Sequence, residues 1–214
     1  MRRGLLLSAA LVAFAVITPL GVLVRDGWGP LRRWDAQAVR HLALGHGPAR
    51  DVALALTQLG APWLLELTVA VLVVVLVRRS NPRLAAYVAV AVIGASLLST
   101  ILKHVVARVR PCSPEVLGCP PSSSFPSGHS VGAAAFWTMA VVLLLPRFGR
   151  RVWGLLVIPP VVALTRVLLG VHYPSDVVAG LVLGGCWAAG CTALFVTVRE
   201  AETGRDVALE EGVA

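Results

Sequence analysis

The chain has 214 residues, of which 57% are hydrophobic and only 14% charged, with a mean hydropathy of +0.81. A water-soluble domain carries closer to about 25% charged residues, so this composition excludes an ordinary soluble fold. The formal net charge of +8 would suggest nucleic acid in a soluble protein. In so apolar a chain it reads instead as loop arginines that orient membrane spans and meet anionic headgroups, and no nucleic-acid partner is expected.

Met1-Arg2-Arg3 leads into an apolar run from Gly4 to Val24. A secretory signal also starts with positive charge, but its apolar region is usually about 7–15 residues. This run is longer and no small-residue cleavage site follows, so it is read as the first span. Residues 25–51 are mixed, and Trp34, Leu42 and Leu44 alternate with charge in a roughly helical manner. That pattern suits an amphipathic helix lying at the membrane interface, with an ordinary solvated loop as the alternative. The second apolar stretch, Val52 to Val77, is broken at Gly60-Ala61-Pro62, giving a short helix, a turn and a span from Trp63. Glu66 lies within that stretch and is read as a hydrogen-bonding partner rather than a functional acid.

A basic turn at 78–83 precedes the third span, Leu84 to Val106, which carries Lys103 near its end. Residues 111–127 form a loop rich in Pro, Ser and Cys. The fourth span covers 128–145 and a second basic turn holds Arg147, Arg150 and Arg151. The fifth covers 152–170, with Pro159-Pro160 expected to kink it. The sixth covers 175–198, where Gly180 and Gly184 permit close helix packing. The fold class is therefore all-α: an integral membrane six-helix bundle over 1–198, an interfacial helix after the first span, and a polar cytoplasmic tail over 199–214.

With six spans, Arg2/Arg3, Arg78/Arg79/Arg83, Arg147/Arg150/Arg151 and Arg199/Arg205 share one side, which the positive-inside rule makes cytoplasmic. Segments 25–51, 103–127 and 166–176 then face outward. Basic residues kept on that side need a reason, and an anionic substrate supplies one. Cys112 and Cys119 bracket a short outward loop and are candidates for a disulfide in an oxidising compartment. Cys186 and Cys191 sit in the sixth span and read as buried thiols.

Three clusters carry chemistry. Lys103 is the only lysine in the chain, and Arg110 lies seven residues on, on the same face if the helix continues. An ammonium offers a compact charge to a phosphoryl oxygen and an arginine offers a bidentate fork, although two cations at a span mouth can also be simple anchors. Pro126-Ser127-Gly128-His129 opens a helix. Ser127 suits the N-cap, the Gly128 amide and the positive helix end form an anion site, and His129 is placed to be a general acid. Finally Thr165-Arg166, His172 and Asp176 fall at a span junction. Spacing of four brings His172 and Asp176 together if the chain is near-helical there, as a nucleophile and its orienter, and Arg166 supplies a further cation. No acidic cluster stands by to hold a divalent metal, so the parts point to metal-free phosphoryl transfer through a phosphohistidine, with no cofactor.

At these residues the sequence resembles the type-2 phosphatidic acid phosphatase superfamily, the lipid phosphatases related to glucose-6-phosphatase and the vanadium haloperoxidases. That family's signature is Lys, six residues, Arg-Pro; then Pro-Ser-Gly-His; then Ser-Arg, five residues, His, three residues, Asp. Lys103 to Pro111 and Pro126 to His129 match, and Thr165 to Asp176 matches with threonine in place of serine. The resemblance implies His172 as nucleophile, Asp176 as its orienter and His129 as the acid for the leaving group. Lys103, Arg110, Ser127, the Gly128 amide and Arg166 would bind the phosphoryl group, and the Thr165 hydroxyl is expected to keep a hydrogen bond to it. Arg108 and His104 lie beside the motif and are left out.

The leading function is hydrolysis of a lipid phosphate at the outer face of the cell membrane, with undecaprenyl diphosphate, phosphatidic acid and phosphatidylglycerophosphate as candidates. Its partners would be that lipid and the surrounding membrane lipids, with no obligate protein partner evident. A phosphotransferase using the same site is the alternative. An anionic-lipid transporter explains the cations but not the His172–Asp176 spacing, and a haloperoxidase-like enzyme conflicts with the apolar spans.

Overall fold

The computed structural model describes residues 2–112, 119 and 121–211, leaving aside the side chains of 2, 3, 5–7, 10 and 196–211. Residues 113–118 and 120 of the expected loop, and 212–214 of the tail, lie outside the described residues. Among the described residues eight α-helices follow one another: α1 (Arg2–Arg25), α2 (Gly29–Leu42), α3 (Pro48–Thr57), α4 (Pro62–Arg78), α5 (Pro82–Val106), α6 (Gly128–Phe148), α7 (Ile158–Leu168) and α8 (Pro174–Glu211). A 3-10 turn, Gln58–Gly60, joins α3 to α4, and a 3-10 segment, Gly149–Val157, joins α6 to α7. No strand occurs among the described residues.

Proline marks most helix starts. Pro48, Pro62, Pro82 and Pro174 each open a helix, and Pro30 and Pro159 take the second position. The missing N–H is harmless there because the first turn has no intrahelical acceptor for it. The expected kink at Pro159-Pro160 is thus a helix start, with a 3-10 segment before it.

α8 is the axis of the bundle, lying against α6 and α1. Its glycines explain how close it comes. A Cβ at Gly184 would stand 2.2 Å from the Val131 carbonyl oxygen, and one at Gly180 would stand 2.8 Å from the Ser127 carbonyl oxygen. Only a hydrogen fits at either position. The core continues through Ile17, Ala95, Val131 and Leu183, and through Val69, Val88, Val92 and Met139. Outward, Val71, Val74, Val90, Leu97 and Ile101 are exposed on α4 and α5, an apolar surface of the kind that contacts lipid.

Four stretches are long and apolar enough to cross a membrane: Pro48–Arg78, Pro82–Val106, Gly128–Leu168 and Pro174–Phe195. A fifth candidate is the bent pair Leu11–Arg25 and Gly29–Leu42, angled at 91°. The six expected spans are therefore not matched one for one, because the fourth and fifth fall within 128–168. Inside that stretch Gly149, at φ 62°, ends α6, and the 3-10 segment packs back against α6. α2 forms where an amphipathic helix was predicted, with Arg32, Arg33, Trp34 and Arg40 exposed and Asp35 and Val39 buried. Glu66 is exposed and accepts a hydrogen bond from Ser96 Oγ at 2.8 Å.

Candidate active site

The three motifs meet where α5 and α7 end and α6 and α8 begin. α5 stops at Val106 because Ala107 turns into the left-handed region, at φ 50°. Lys103 and Arg110 are therefore not two residues on one helix face, as the spacing predicted. The turn brings Arg110 back toward the site instead. Lys103 Nζ donates to the carbonyls of Ser123 (2.8 Å) and Pro126 (2.7 Å), and so holds the segment leading into α6.

At the start of α6, Ser127 occupies the N-cap position but makes no capping bond. Its amide donates to the Asp176 carbonyl at 3.0 Å, tying α6 to the first turn of α8. Its hydroxyl is buried and has no partner within the protein. A buried hydroxyl without a partner is rare and needs an explanation, and a bound phosphoryl oxygen is one. A Cβ on Gly128 would meet nothing closer than Lys103 Cε at 3.9 Å. Packing thus leaves the amides of this helix end open to approach, and a helix N-terminus favours an anion.

Asp176 is fixed by the helix it begins. Tyr173 N–H donates to Asp176 Oδ2 at 2.9 Å, the backward bond of a capping box, and a carboxylate in the first turn suits the helix dipole. His172, just ahead of this helix and 2% exposed, places Nδ1 3.5 Å from the same Oδ2, at the outer edge of hydrogen-bonding distance. Its other nitrogen, Nε2, accepts from Arg110 Nη1 at 2.8 Å. An arginine has no acceptor atom, so Nε2 carries the lone pair and the ring proton sits on Nδ1, toward Asp176. That is the tautomer a nucleophilic Nε2 requires. Burial, reinforced by Arg110 and Arg166 and only partly opposed by Asp176, lowers His172 to about 4, so the ring is neutral at pH 7.

Arg166, also buried, donates to Thr57 Oγ1 at 3.1 Å, while its Nε has no partner within the protein. His129 is half-buried, within electrostatic reach of Arg166, His172, Arg110 and Lys103. Thr165 departs from expectation. Its hydroxyl donates to the Val162 carbonyl at 2.6 Å, the back-bond that a threonine readily makes inside a helix, so its proton is not offered to a phosphoryl oxygen. Burial lowers Arg110 from its ordinary value, with Asp176 opposing the shift. It remains a cation at neutral pH. An open cavity of about 890 Å³, lined by Thr100, Lys103, His104, Arg110 and Ser122, gives access to Lys103 and Arg110. Cys112 and Cys119, on its rim, are joined by a disulfide.

Two residues that the motifs did not flag complete the geometry. Arg108 donates to Asp176 Oδ1 at 2.6 Å and to Asp35 Oδ2 on α2 at 2.7 Å, and its guanidinium lies 4.0 Å from the Tyr173 ring centroid. Asp35 also accepts from the amide (3.1 Å) and the hydroxyl of Ser175. Burial alone would lower Arg108, but the charges of Asp176 and Asp35 outweigh it and hold the group above its ordinary value. One sequence signal was available for Asp35. It lies four residues before Val39, on the apolar side of a helix whose other charges face out.

Comparison with known proteins decides the family. The sequence model of the PAP2 superfamily matches residues 84–200, which hold all three motifs. The chain belongs to the PAP2 superfamily. It is 38% identical over 123 residues to a lipid A 1-phosphatase of Rhizobium etli, covering 51% of this chain and 49% of that protein. It is 39% identical over 93 residues to a decaprenylphosphoryl-5-phosphoribose phosphatase of Mycobacterium tuberculosis, covering 42% of this chain and 49% of that protein. The chain thus spans about half the length of these curated relatives. In fold it is similar to the crystal structure of a transmembrane PAP2 type phosphatidylglycerolphosphate phosphatase from Bacillus subtilis. That likeness has a TM-score of 0.72 at 24% identity and covers 92% of this chain and 96% of the other.

Proposed function

We propose that this PAP2 chain is a membrane phosphatase that removes phosphate from a lipid phosphomonoester or diphosphate through a phosphohistidine, without a metal ion. The observation that carries the reading is the pair of contacts on one imidazole, Arg110 on Nε2 and Asp176 beside Nδ1. They leave a neutral ring with its lone pair directed at a group of cations. In the first step the Arg110 N–H passes from Nε2 to a phosphoryl oxygen, the freed Nε2 gives its electron pair to phosphorus, and the bond from phosphorus to the leaving oxygen breaks. The leaving oxygen takes that bond's electrons and a proton from His129, which enters the step protonated with the negative charge of the bound phosphate beside it. In the second, water attacks phosphorus, its proton passes to His129, and the phosphorus–nitrogen electrons return to Nε2. Lys103, Arg110, Arg166, the Ser127 hydroxyl and the Gly128 amide hold the phosphoryl oxygens as charge shifts, the role a divalent ion often fills in phosphoryl transfer.

An amphiphilic substrate fits a site at the ends of apolar helices, because its tail stays in the bilayer while its headgroup reaches the cations. The relatives' names widen the candidates beyond undecaprenyl diphosphate, phosphatidic acid and phosphatidylglycerophosphate to lipid A 1-phosphate and decaprenylphosphoryl-5-phosphoribose. We place the site on the outer face of the cell membrane, with six passes if 128–168 crosses twice, α2 lying in the interface, and a cytoplasmic tail over 199–214. The test is phosphate release from a panel of these lipids by purified protein in detergent with a chelator present. Release that survives the chelator and disappears in His172→Ala supports the reading. Release that stops with chelator, or persists in His172→Ala, overturns the mechanism.

A further inference from the structure

Arg108 differs from the cations around it. Its Nη1 is committed to Asp176 and Ser175, its Nη2 to Asp35, and one face to Tyr173. Arg110 and Arg166 sit against His172 and Thr57, whereas Arg108 stands on the far side of Asp176, away from the nucleophilic nitrogen. Asp35 is just as unusual. It is 0% exposed on a helix whose arginines are exposed, and burying a carboxylate is costly unless it is paired and hydrogen-bonded. Its three partners all lie beside Asp176: Arg108, the Ser175 amide and the Ser175 hydroxyl.

The charge count shows what this arrangement does. Two buried carboxylates share one guanidinium. If Arg108 paired with Asp176 alone, it would cancel the charge that His172 needs behind it. That need is greatest when Nε2 bonds to phosphorus, because the ring then becomes positive and Nδ1–H leans on Asp176 Oδ2. With Asp35 taking half of Arg108, Asp176 keeps more of its charge for the imidazole, and Oδ1 is pinned so that Oδ2 faces His172.

We propose that Asp35 is a positioning residue for the phosphoryl transfer, acting on His172 through Arg108 and Asp176. The inference rests on His172 being the nucleophile, as set out above, and goes beyond it by assigning α2 a part in the chemistry. The charged and titratable groups around His172 are Arg108 and Arg110 from the turn after α5, and Lys103 from α5 itself. His129 from α6, Arg166 from α7, Tyr173 and Asp176 at the start of α8, and Asp35 from α2 complete them. Five are basic or imidazole groups, one is a phenol and two are carboxylates, so removing either carboxylate's charge alters the balance strongly.

The test is Asp35→Asn, which keeps the shape and removes the charge. Expected is a loss in kcat of roughly 10- to 100-fold with KM within about threefold, as for other partners that orient a histidine–carboxylate pair. The acid limb of kcat/KM should move to lower pH, because less negative charge faces the protonated ring. In an Asp176→Asn background the same substitution should cost nothing more, since the path is already cut. Wild-type kcat and an unmoved acid limb in Asp35→Asn would overturn the proposal, as would a full additive loss in the double variant. A loss confined to thermal stability or KM would reduce Asp35 to a docking contact for α2. If Asp35→Asn does not fold, Arg108→Lys decides, because an ammonium carries its donors on one atom and lacks the fork that holds Asp176 on Nη1 and Asp35 on Nη2. It should lose kcat with KM kept, and wild-type kcat there overturns the proposal. A wild-type protein that releases phosphate from no lipid in the panel would remove the functional reading and this inference with it.

Discussion

Gly184→Ala tests whether helix contact in the bundle sets the geometry of the site. The added methyl carbon would lie 2.2 Å from the Val131 carbonyl oxygen and 3.0 Å from Ala134 Cβ. The first is a backbone atom that no rotamer change can clear, so α6 and α8 must part by about 1 Å to restore ordinary contact. Overpacking of this kind costs about 1–3 kcal/mol. The same shift acts on the site, because Ser127 and His129 open α6 while Asp176 opens α8, and one hydrogen bond of 3.0 Å from Ser127 N to the Asp176 carbonyl joins them. A misplacement of about 1 Å can cost roughly 100-fold in rate. The assay is thermal unfolding in detergent alongside kcat and KM on whichever lipid phosphate is turned over. Gly185→Ala is the control, since a Cβ there meets nothing within 4 Å. It should be neutral or stabilising by up to about 1 kcal/mol, as alanine favours a helix more than glycine does. Equal behaviour of the two variants, or wild-type activity and stability in Gly184→Ala, would refute the reasoning.

Three further outcomes are expected. Burial lowers His172 to about 4, so its nucleophilic neutral form persists well below pH 6. The acid limb of kcat/KM should therefore fall only as pH drops through about 4, and a limb at the ordinary histidine value of about 6.5 would contradict the buried, Arg110-bound ring. Arg166→Lys keeps the charge but loses the fork that reaches Thr57 and leaves Nε free. A loss in kcat of about 100-fold is expected, the scale of removing one oriented donor to a developing anion, and steady-state kinetics would check it. Thr165→Val removes a hydroxyl committed to Val162. It should lower stability by about 1 kcal/mol and leave kcat/KM within about threefold, whereas a large kinetic loss with unchanged stability would restore the phosphate contact that the family pattern implies.

The site was more legible in the sequence than its scaffold. Three motifs of polar residues in an oily chain have few structural uses, so their types and spacings identified the residues that the fold gathers. The spacing did not show how they gather. The spacing of seven puts Lys103 and Arg110 on one helix face, but Ala107 turns left-handed, and alanine gives no local signal for that conformation. The basic turn expected at Arg147, Arg150 and Arg151 falls where Gly149, at φ 62°, ends α6, whereas the 3-10 segment that follows has no signal of its own in hydropathy averaged over a window. Arg108 stands beside the first motif without belonging to it, and its role depends on Asp35, more than seventy positions earlier in the chain. Thr165 shows the converse, where a residue matching the family in chemistry spends its hydroxyl on its own helix because the β-branched side chain sits well against the preceding turn.

The central claim is that His172 carries the phosphoryl group between substrate and water. Rapid quenching of the wild-type protein with a lipid labelled in its terminal phosphate, followed by peptide mapping under alkaline conditions, tests it most directly. The account predicts label on His172 that is stable to base, lost in acid, and absent in His172→Ala. Turnover with no labelled protein at any quench time, or label on a different side chain, would contradict it.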